Sequence, residues 1–256
     1  MIADSVEREQ FPAMIADWRS KWYDATDGRT DATFPFGFVQ LNSVGNGTVY
    51  NDPADAGDDL SPAFGFAGLR WSQTASYGYV PNPAMPKVFM AVSEDTPDVP
   101  GPCIGGGGKR CPSPGFNGHS RFKQPTAARL ARAGLSVAYG MDEIEQGPIH
   151  GAIKRVGDNL ILSIGNWNAG VELKASQGME VLVAGKWLSV PVSGNTRDTV
   201  TIGPVPTAAS RLRYNWYANP CGIDCFGCAV YAKVTPLGKL SGEEAFLPLA
   251  PFVMDI

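Results

Sequence analysis

The chain has 256 residues, of which 44% are hydrophobic and 18% are charged, a balance that allows a full core in one or two domains. Its formal net charge of -4 offers no basic field to attract a nucleic acid. No stretch of about 18 apolar residues predicts a membrane span.

The first elements along the chain are predicted to be a helix and a strand. Large apolar residues recur at helical spacing within residues 7–24, which predicts a helix with one core-facing stripe. These residues are Phe11, Ile15, Trp18 and Trp22. The compact run FPFGFVQL (34–41) predicts a strand that is buried on both faces.

The next part of the chain predicts a second strand and a second helix, separated by a long loop. Residues 68–80 are expected to be partly helical, and VFMAV (88–92) predicts a buried strand. A helix is predicted from Pro125 to Tyr139, since proline suits the first turn. Strand, loop and helix repeated twice indicate a parallel sheet, in which sites form at the carboxyl ends of the strands.

The sequence pattern changes near residue 147. Short alternating runs separated by Gly, Asn and Ser follow, which is typical of antiparallel strands in a sandwich or a related module. Examples are NLILSIG, MEVLVAG, DTVTIG and RLRYNWYA. We therefore predict two domains, 1–147 and 148–256.

His119, in the loop before the second predicted helix, is the best candidate for a catalytic residue. A Ser-His-Asp hydrolase needs a serine that attacks, a histidine that takes its proton and an acid that orients the histidine. The start of a helix and the nearby Arg121 and Lys123 disfavour the imidazolium form, so they help to keep a base neutral. A surface or hydrogen-bonding role is the alternative for His119.

No convincing nucleophile accompanies this histidine. The chain contains no G-x-S-x-G elbow. The nearest match, GLSVA (134–138), falls inside the predicted helix. His150 lies at the proposed domain junction, where we expect a packing or surface role.

Five cysteines leave three interpretations open. Cys103 and Cys111 bracket a glycine-rich insert, while Cys221, Cys225 and Cys228 form a cluster. Two disulfides plus one spare cysteine would fit an oxidising compartment, and the candidates for pairing are Cys103, Cys111, Cys221 and Cys228. Free thiols or a zinc site at the C-x2-C spacing are the alternatives. The sequon at Asn46 is consistent with secretion.

Six segments of the chain together resemble one family of enzymes. They are FPAMIADWRSKW (11–22), FPFGFVQL (34–41), LRWSQTASYGYVPNPAMPKVFMAV (69–92), KQPTAARLARAGLSVAYG (123–140), RYNWYANPC (213–221) and LPLAPFVMDI (247–256). These segments resemble the sialate O-acetylesterase family of SGNH-type hydrolases, along nearly the whole chain. The resemblance implies an α/β fold: the C-terminal part of a three-layer, flavodoxin-like hydrolase domain, followed by an antiparallel β-rich, sandwich-like module.

The resemblance also implies a chemistry. The family removes acetyl groups from sialic acids through an acyl-serine intermediate, and its catalytic histidine falls on His119. The usual aspartate two residues earlier is Asn117 here, so Asp95 and Asp98 are the remaining candidates for the orienting acid, although solvated loop charges are the simpler interpretation of both. The family's nucleophile lies far upstream, so we expect this chain to be a fragment without its serine.

The expected substrate is an O-acetylated sialic acid or another acetylated sugar, with no cofactor. Lysosomal or extracellular localisation is expected from the resemblance, although no signal peptide is visible. The oligomeric state is left open. A second hypothesis is a non-catalytic carbohydrate-binding or interaction module derived from the same family. In that case exposed aromatic rings would contact sugar; the candidates are Trp71, Tyr77, Tyr79 and Trp216.

Overall fold

The computed structural model describes most of the chain. The described residues are 2–43, 65–97, 120, 122–143, 145–165, 170–222, 225–235 and 246–256, with side chains from residue 9 onward. Helices and strands alternate in the first half, and strands alone fill the described second half.

The predicted elements of the first half are present. They are α1 (Ile2–Ala25), β1 (Phe36–Val39), α2 (Gly65–Ser72), β2 (Val88–Ala91) and α3 (Gln124–Tyr139). The predicted packing stripe of α1 is only partly correct. Ile15 is buried, but Trp18 is 46% exposed and Trp22 is 59% exposed. These residues do lie at helical spacing along α1, but the sheet that packs against α1 covers only part of this face.

β1 and β2 pair in parallel, as the strand–loop–helix pattern predicts. Phe36 is opposite Val88, and Val39 is opposite Ala91. Successive side chains of a strand point to opposite faces. On one face the ring of Phe38 packs against Phe11 of α1, with 4.9 Å between their centroids. Helix α1 therefore covers this face of the two-stranded sheet.

The other face of this sheet carries Gly37 and Phe89. A Cβ atom at Gly37 would lie 2.3 Å from the Phe89 ring, so only glycine fits there. A Cβ atom at Gly134 of α3 would lie 3.3 Å from the same ring, which shows that α3 packs on this face. The prediction that residues 34–41 form a strand buried on both faces is wrong, since Val39 is 43% exposed.

The described residues of the second half form three antiparallel sheets, as the alternating pattern predicts. The strands are β3 (Ile149–Val156), β4 (Asn159–Gly165), β5 (Val171–Leu173), β6 (Met179–Val183), β7 (Lys186–Val190), β8 (Val192–Asn195), β9 (Thr199–Ile202), β10 (Arg211–Tyr214), β11 (Val230–Lys233), β12 (Phe246–Pro248) and β13 (Phe252–Asp255). Their orders are β3-β4-β9-β8, β13-β10-β6-β7 and β12-β11-β5. Each adjacent pair in these sheets runs antiparallel.

Packing joins the two halves of the chain. Ala67 and Trp71 of α2 belong to the same buried cluster as Leu162, Leu212 and Phe252 of the antiparallel sheets. The α-helical layer therefore shares a core with the β-rich half. Among the residues that the structure describes, no helix combines the length and the apolarity needed to cross a membrane.

Candidate functional site

Buried polar groups gather where β1 and β2 end. Gln40 and Asn42 follow β1, while Ser93, Glu94 and Asp95 follow β2, and all five are buried. The Ser93 hydroxyl donates to the carbonyl of Gln40 over 2.8 Å. Buried polar groups cost free energy unless they are hydrogen-bonded, so this concentration marks the sheet edge at which α/β proteins place their sites.

Arg70 of α2 fixes the carboxyl end of β1 to the β-rich half. Its guanidinium donates to the carbonyls of Leu41 (2.7 Å) and Asn42 (2.9 Å). It also donates to the carbonyls of Tyr217 (2.6 Å) and Ala218 (2.8 Å). Burial lowers the pKa of Arg70 to about 10, although the nearby Glu94 opposes this shift. The arginine stays charged at neutral pH and joins four carbonyls at once.

Asp95 forms a buried ion pair. Its two carboxylate oxygens accept from both terminal nitrogens of Arg129 on α3, at 2.6 and 2.8 Å. The Tyr231 hydroxyl donates to the same carboxylate over 3.0 Å. The interpretation of Asp95 as a solvated loop charge is therefore wrong. These contacts connect the end of β2 to α3 and to β11.

Glu94 is the buried titratable group beside this pair. One of its oxygens accepts from the amide nitrogen of Asn215 over 2.6 Å. The other oxygen is buried and has no hydrogen-bond partner among the described residues. Burial raises the pKa of Glu94 to about 8, even though the positive charge of Arg70 opposes the shift. Glu94 is therefore mostly protonated at neutral pH.

His119 and Asp98 lie outside the described residues, but the structure describes residues on either side of the segment that contains them. Thr96 follows β2, and Thr126 lies in the first turn of α3. Their hydroxyl oxygens are 3.5 Å apart. Ser120, the neighbour of His119 in sequence, is buried, and its hydroxyl accepts from the backbone N–H of Phe122. Thr96 and Thr126, which stand on either side of this segment in the sequence, thus lie together near the carboxyl end of β2.

Ser136, the serine of the near-match GLSVA, lies inside α3 as predicted. Its hydroxyl donates to Glu145 over 3.1 Å. The helical backbone gives this serine no exposed turn of the kind that a nucleophile elbow needs. His150 has the expected packing role, since its ring stacks on Phe252 at 4.5 Å. Burial lowers the pKa of His150 to about 4, which keeps its imidazole neutral.

The described cysteines are oxidised. Cys221 and Cys228 form a disulfide with Cα atoms 4.4 Å apart. Cys225, whose role the sequence left open, is also disulfide-bonded. The alternative of a zinc site at Cys225 and Cys228 is therefore wrong, because neither offers a thiolate. Cys103, Cys111 and the sequon at Asn46 lie outside the described residues.

Two of the four aromatic residues considered for sugar contact are core residues. Trp71 and Trp216 are buried, and their rings meet edge-on. Tyr77 and Tyr79 also pack edge-on, and Tyr77 is 37% exposed. The rings do not form an open platform on which a sugar could stack. The described residues therefore give the binding-module hypothesis no specific support.

Sequence reasoning missed Arg70, Arg129 and Glu94. The two arginines lie on the buried faces of α2 and α3, and Arg132 of α3 is buried as well. An arginine on the buried face of a helix could have indicated the buried carboxyl groups, because a buried positive charge needs a negative partner. Nothing in the sequence distinguishes buried Glu94 from an exposed loop glutamate.

Known proteins that are similar to this chain support its resemblance to the sialate O-acetylesterase family. The chain is 32% identical over 254 residues to the sialate O-acetylesterase of Mus musculus and 34% identical over 256 residues to that of Homo sapiens. Each match covers 96% of this chain. The predicted resemblance to the sialate O-acetylesterase family is confirmed. No family model matches the chain.

The matched sialate O-acetylesterases are much longer than this chain. It spans 40% of the mouse sequence and 42% of the human sequence. A solved structure is similar in fold: the carbohydrate acetylesterase XAC1771 from Xanthomonas citri, with a TM-score of 0.66 and 23% identity. That likeness covers 97% of this chain and 46% of the other.

Proposed function

We propose that the chain is the histidine-bearing part of an O-acetylesterase that acts on acetylated sugars, with sialic acids as the first substrate class to test. The similarity to sialate O-acetylesterases along 96% of the chain carries this proposal. The buried polar cluster after β2 supports it, because the pair of Asp95 and Arg129 connects β2 to α3, the two elements between which His119 stands in the sequence.

In this proposal His119 is the general base. It takes the proton of a serine hydroxyl while the serine oxygen attacks the acetyl carbonyl. The protonated histidine then gives this proton to the sugar oxygen as the bond between that oxygen and the acetyl carbon breaks, so that the sugar leaves as an alcohol. Water, activated by the same histidine, hydrolyses the acyl-serine, releasing acetate and restoring the serine. The serine comes from polypeptide outside these 256 residues.

The orienting acid of the proposed triad is Asp98 or Asp95. Both oxygens of Asp95 are already engaged by Arg129, and one of them also accepts from Tyr231. Those contacts favour a structural role for Asp95. We therefore propose Asp98 as the first candidate for the acid, and Asp95 as the residue that holds the start of the loop.

The architecture of the whole enzyme belongs to the same proposal. We infer that residues 1–147 complete a three-layer SGNH domain and that residues 148–256 form a sandwich-like module. Lysosomal or extracellular localisation is proposed too, and the disulfide between Cys221 and Cys228 supports it, because disulfides persist in oxidising compartments.

An aryl-acetate assay tests the function. The purified 256-residue chain should show no serine-dependent turnover, and turnover that a serine-directed inhibitor stops would contradict the missing nucleophile. In a single polypeptide that joins the chain to the rest of the mouse enzyme, His119→Ala should lower kcat by at least about 1000-fold. Asn117→Ala, two residues away, is the matched control and should retain activity. Equal rates for the two variants would remove His119 from the mechanism.

A further inference from the structure

A loop of the β-rich half contacts the chain on both sides of the segment that carries His119. We call residues 221–228 the disulfide loop, because a disulfide joins its two ends. The N–H of Phe226 in this loop donates to the carbonyl of Asp95, after β2, over 2.8 Å. The Phe226 ring also meets the ring of Phe122, before α3, edge-on with 6.0 Å between the centroids. One residue of the β-rich half thus contacts both of the elements between which His119 stands in the sequence.

The backbone of Phe226 has a conformation that a bulky residue rarely adopts. Its φ angle is +62°, in the left-handed region. A strained conformation of this kind persists only where the surrounding contacts hold it, and such residues cluster at functional sites. A further contact is present here, because the guanidinium of Arg129 lies 5.8 Å from the centroid of the Phe226 ring. The strain at Phe226 therefore indicates that the placement of this ring has a function.

The disulfide loop is held firmly by the β-rich half. The amide nitrogen of Asn215 lies 3.5 Å from the Sγ atoms of both Cys221 and Cys228. The backbone N–H of Cys228 donates to the hydroxyl of Tyr231 over 3.1 Å. Both cysteines and Tyr231 are buried. A loop that is fixed in this way can position another part of the chain that contacts it.

The segment that carries His119 needs a restraint of this kind. It contains four consecutive glycines, residues 105–108, and glycine has the largest conformational freedom of all residues. The ordering of such a segment costs conformational entropy. A general base must lie within hydrogen-bond distance of the proton that it takes. Contacts that restrain the chain next to His119 would therefore increase the rate of proton transfer.

A second disulfide starts in the same loop. Cys225 is disulfide-bonded, while the two cysteines that close the loop are bonded to each other. The chain contains five cysteines, so the two that are left are Cys103 and Cys111. Both stand between β2 and α3 in the sequence, in the same segment as His119.

We propose that Phe226 is a positioning residue that holds His119 through its contact with Phe122. The disulfide of Cys225 acts with it, by joining the disulfide loop to the segment that carries His119. The inference rests on the proposed function for the role of His119 as the general base. Phe226 acts through Phe122, which follows His119 by three residues, and not through the substrate. The β-rich half thereby contributes to catalysis by orienting the base.

Peptide mapping of the unreduced 256-residue chain tests the covalent part of the proposal. Trypsin cuts at the Lys-Arg pair that stands between Cys103 and Cys111, so the two cysteines fall in different peptides. One of these peptides should be linked to peptide 214–233, which contains Cys225. A free thiol at Cys225, or a covalent dimer on a non-reducing gel, would overturn this part.

NMR of the same chain tests the positioning of His119 without an activity assay. The chain has two histidines, His119 and His150, so two imidazole signals are expected. Phe226→Ala should move the His119 signal toward its position in the urea-unfolded chain and leave the His150 signal in place. Phe226→Tyr keeps the ring and should change neither signal. A His119 signal that Phe226→Ala leaves in place, or that is already at the unfolded position in the parent chain, would overturn the proposal.

The polypeptide that joins the chain to the rest of the mouse enzyme provides the kinetic test. Phe226→Ala should lower kcat at least about tenfold, because a small misplacement of a catalytic group slows the reaction. It should leave KM within about twofold, because the ring takes no part in substrate binding. Phe226→Tyr should retain the kcat of the parent.

Phe246→Ala is the matched control for this kinetic test. The rings of Phe226 and Phe246 are both partly buried and pack against the same cluster, which contains Tyr231. Among the described ring contacts, that of Phe122 is with Phe226, whereas that of Phe246 is with Tyr231. Phe246→Ala should therefore leave kcat unchanged. Equal losses of kcat in the two alanine variants would show that Phe226 only packs the cluster, and would overturn the proposal.

The outcomes separate the positioning role from the proposed function. A His119 signal that responds to Phe226→Ala, in an enzyme that hydrolyses no acetyl ester, would retain the contact and contradict the esterase. Hydrolysis with the same kcat in the parent and in Phe226→Ala would retain the esterase and overturn the positioning role.

Discussion

Asp95 is completely buried in the folded chain, where it contacts Arg129 and Tyr231. In the sequence it follows a strand, in a segment rich in acid and proline that is typical of a solvated loop. The decisive partners are 34 and 136 residues away, so local sequence does not reveal them.

Replacing Asp95 by Asn should destabilise the fold. The change leaves the buried charge of Arg129 without its partner, and breaking such a pair costs about 3–5 kcal/mol. Chemical denaturation should therefore show a lower free energy of unfolding for Asp95→Asn. Asp98→Asn is the comparison and should reduce esterase activity of the joined enzyme with little change in stability. Lost activity with unchanged stability in Asp95→Asn would instead assign Asp95 to the chemistry.

Glu94 should make stability depend on pH. Its pKa is about 8 in the folded chain, and the ordinary value is 4.5. Between these values the folded state keeps a proton that the unfolded state has lost. The free energy of unfolding therefore falls as pH rises, by up to about 1.4 kcal/mol per pH unit.

Glu94→Gln should remove that dependence. Glutamine keeps the carbonyl oxygen that accepts from Asn215 but cannot ionise. We expect urea denaturation to give similar stabilities for both proteins near pH 4.5 and a more stable variant at pH 8. The exposed Glu9→Gln serves as control and should follow the parent chain. A parent chain whose stability does not fall between these pH values would contradict the buried neutral carboxyl.

At the scale of elements, helices and strands form where the periodicity of the sequence predicts them. The burial of their side chains differs from the prediction. The prediction of a strand at 88–92 and a helix at 125–139 is confirmed by β2 and α3. The stripe on α1 and the double burial of β1 were wrong at Trp18, Trp22 and Val39. The spacing of apolar residues indicates whether an element is a helix or a strand. The burial of its side chains depends on which neighbouring elements cover it.

Gly37 of β1 leaves no room for a side chain. An added methyl group would overlap the Phe89 ring, so Gly37→Ala should force β1 and β2 apart or displace that ring. We expect a loss of about 1–3 kcal/mol in the free energy of unfolding. Gly194→Ala in β8, where a Cβ meets nothing within 4 Å, is the control. Adding Phe89→Leu to Gly37→Ala should restore part of the loss, and no recovery would contradict this steric account.

At the scale of the whole molecule, Arg70 joins the two halves that the sequence pattern separates near residue 147. Its four hydrogen bonds reach carbonyls in both halves. The ion pair between Asp95 and Arg129 and the hydroxyl of Tyr231 make a second connection. We therefore expect calorimetry to record a single unfolding transition. Two separated transitions would show that the halves fold independently.

Arg70→Ala should weaken this connection strongly. The variant leaves four buried carbonyls unsatisfied, and each such group costs about 1–3 kcal/mol. The melting temperature should fall by several degrees or the single transition should split. Arg155→Ala is the matched control, since Arg155 also donates to two carbonyls, in a partly buried bond to Val205 and an exposed bond to Pro206. A similar, small change in both variants would contradict the role of Arg70.

The sequence by itself determined the class of the elements, the parallel pair of strands, the antiparallel second half and the resemblance to sialate O-acetylesterases. These depend on local periodicity and on motifs that are contiguous in the chain. Only the tertiary structure decided that Asp95 and Glu94 are buried and that Cys225 is oxidised. Each of these depends on groups far apart in sequence that the fold brings together or leaves apart, and no local pattern encodes those distances.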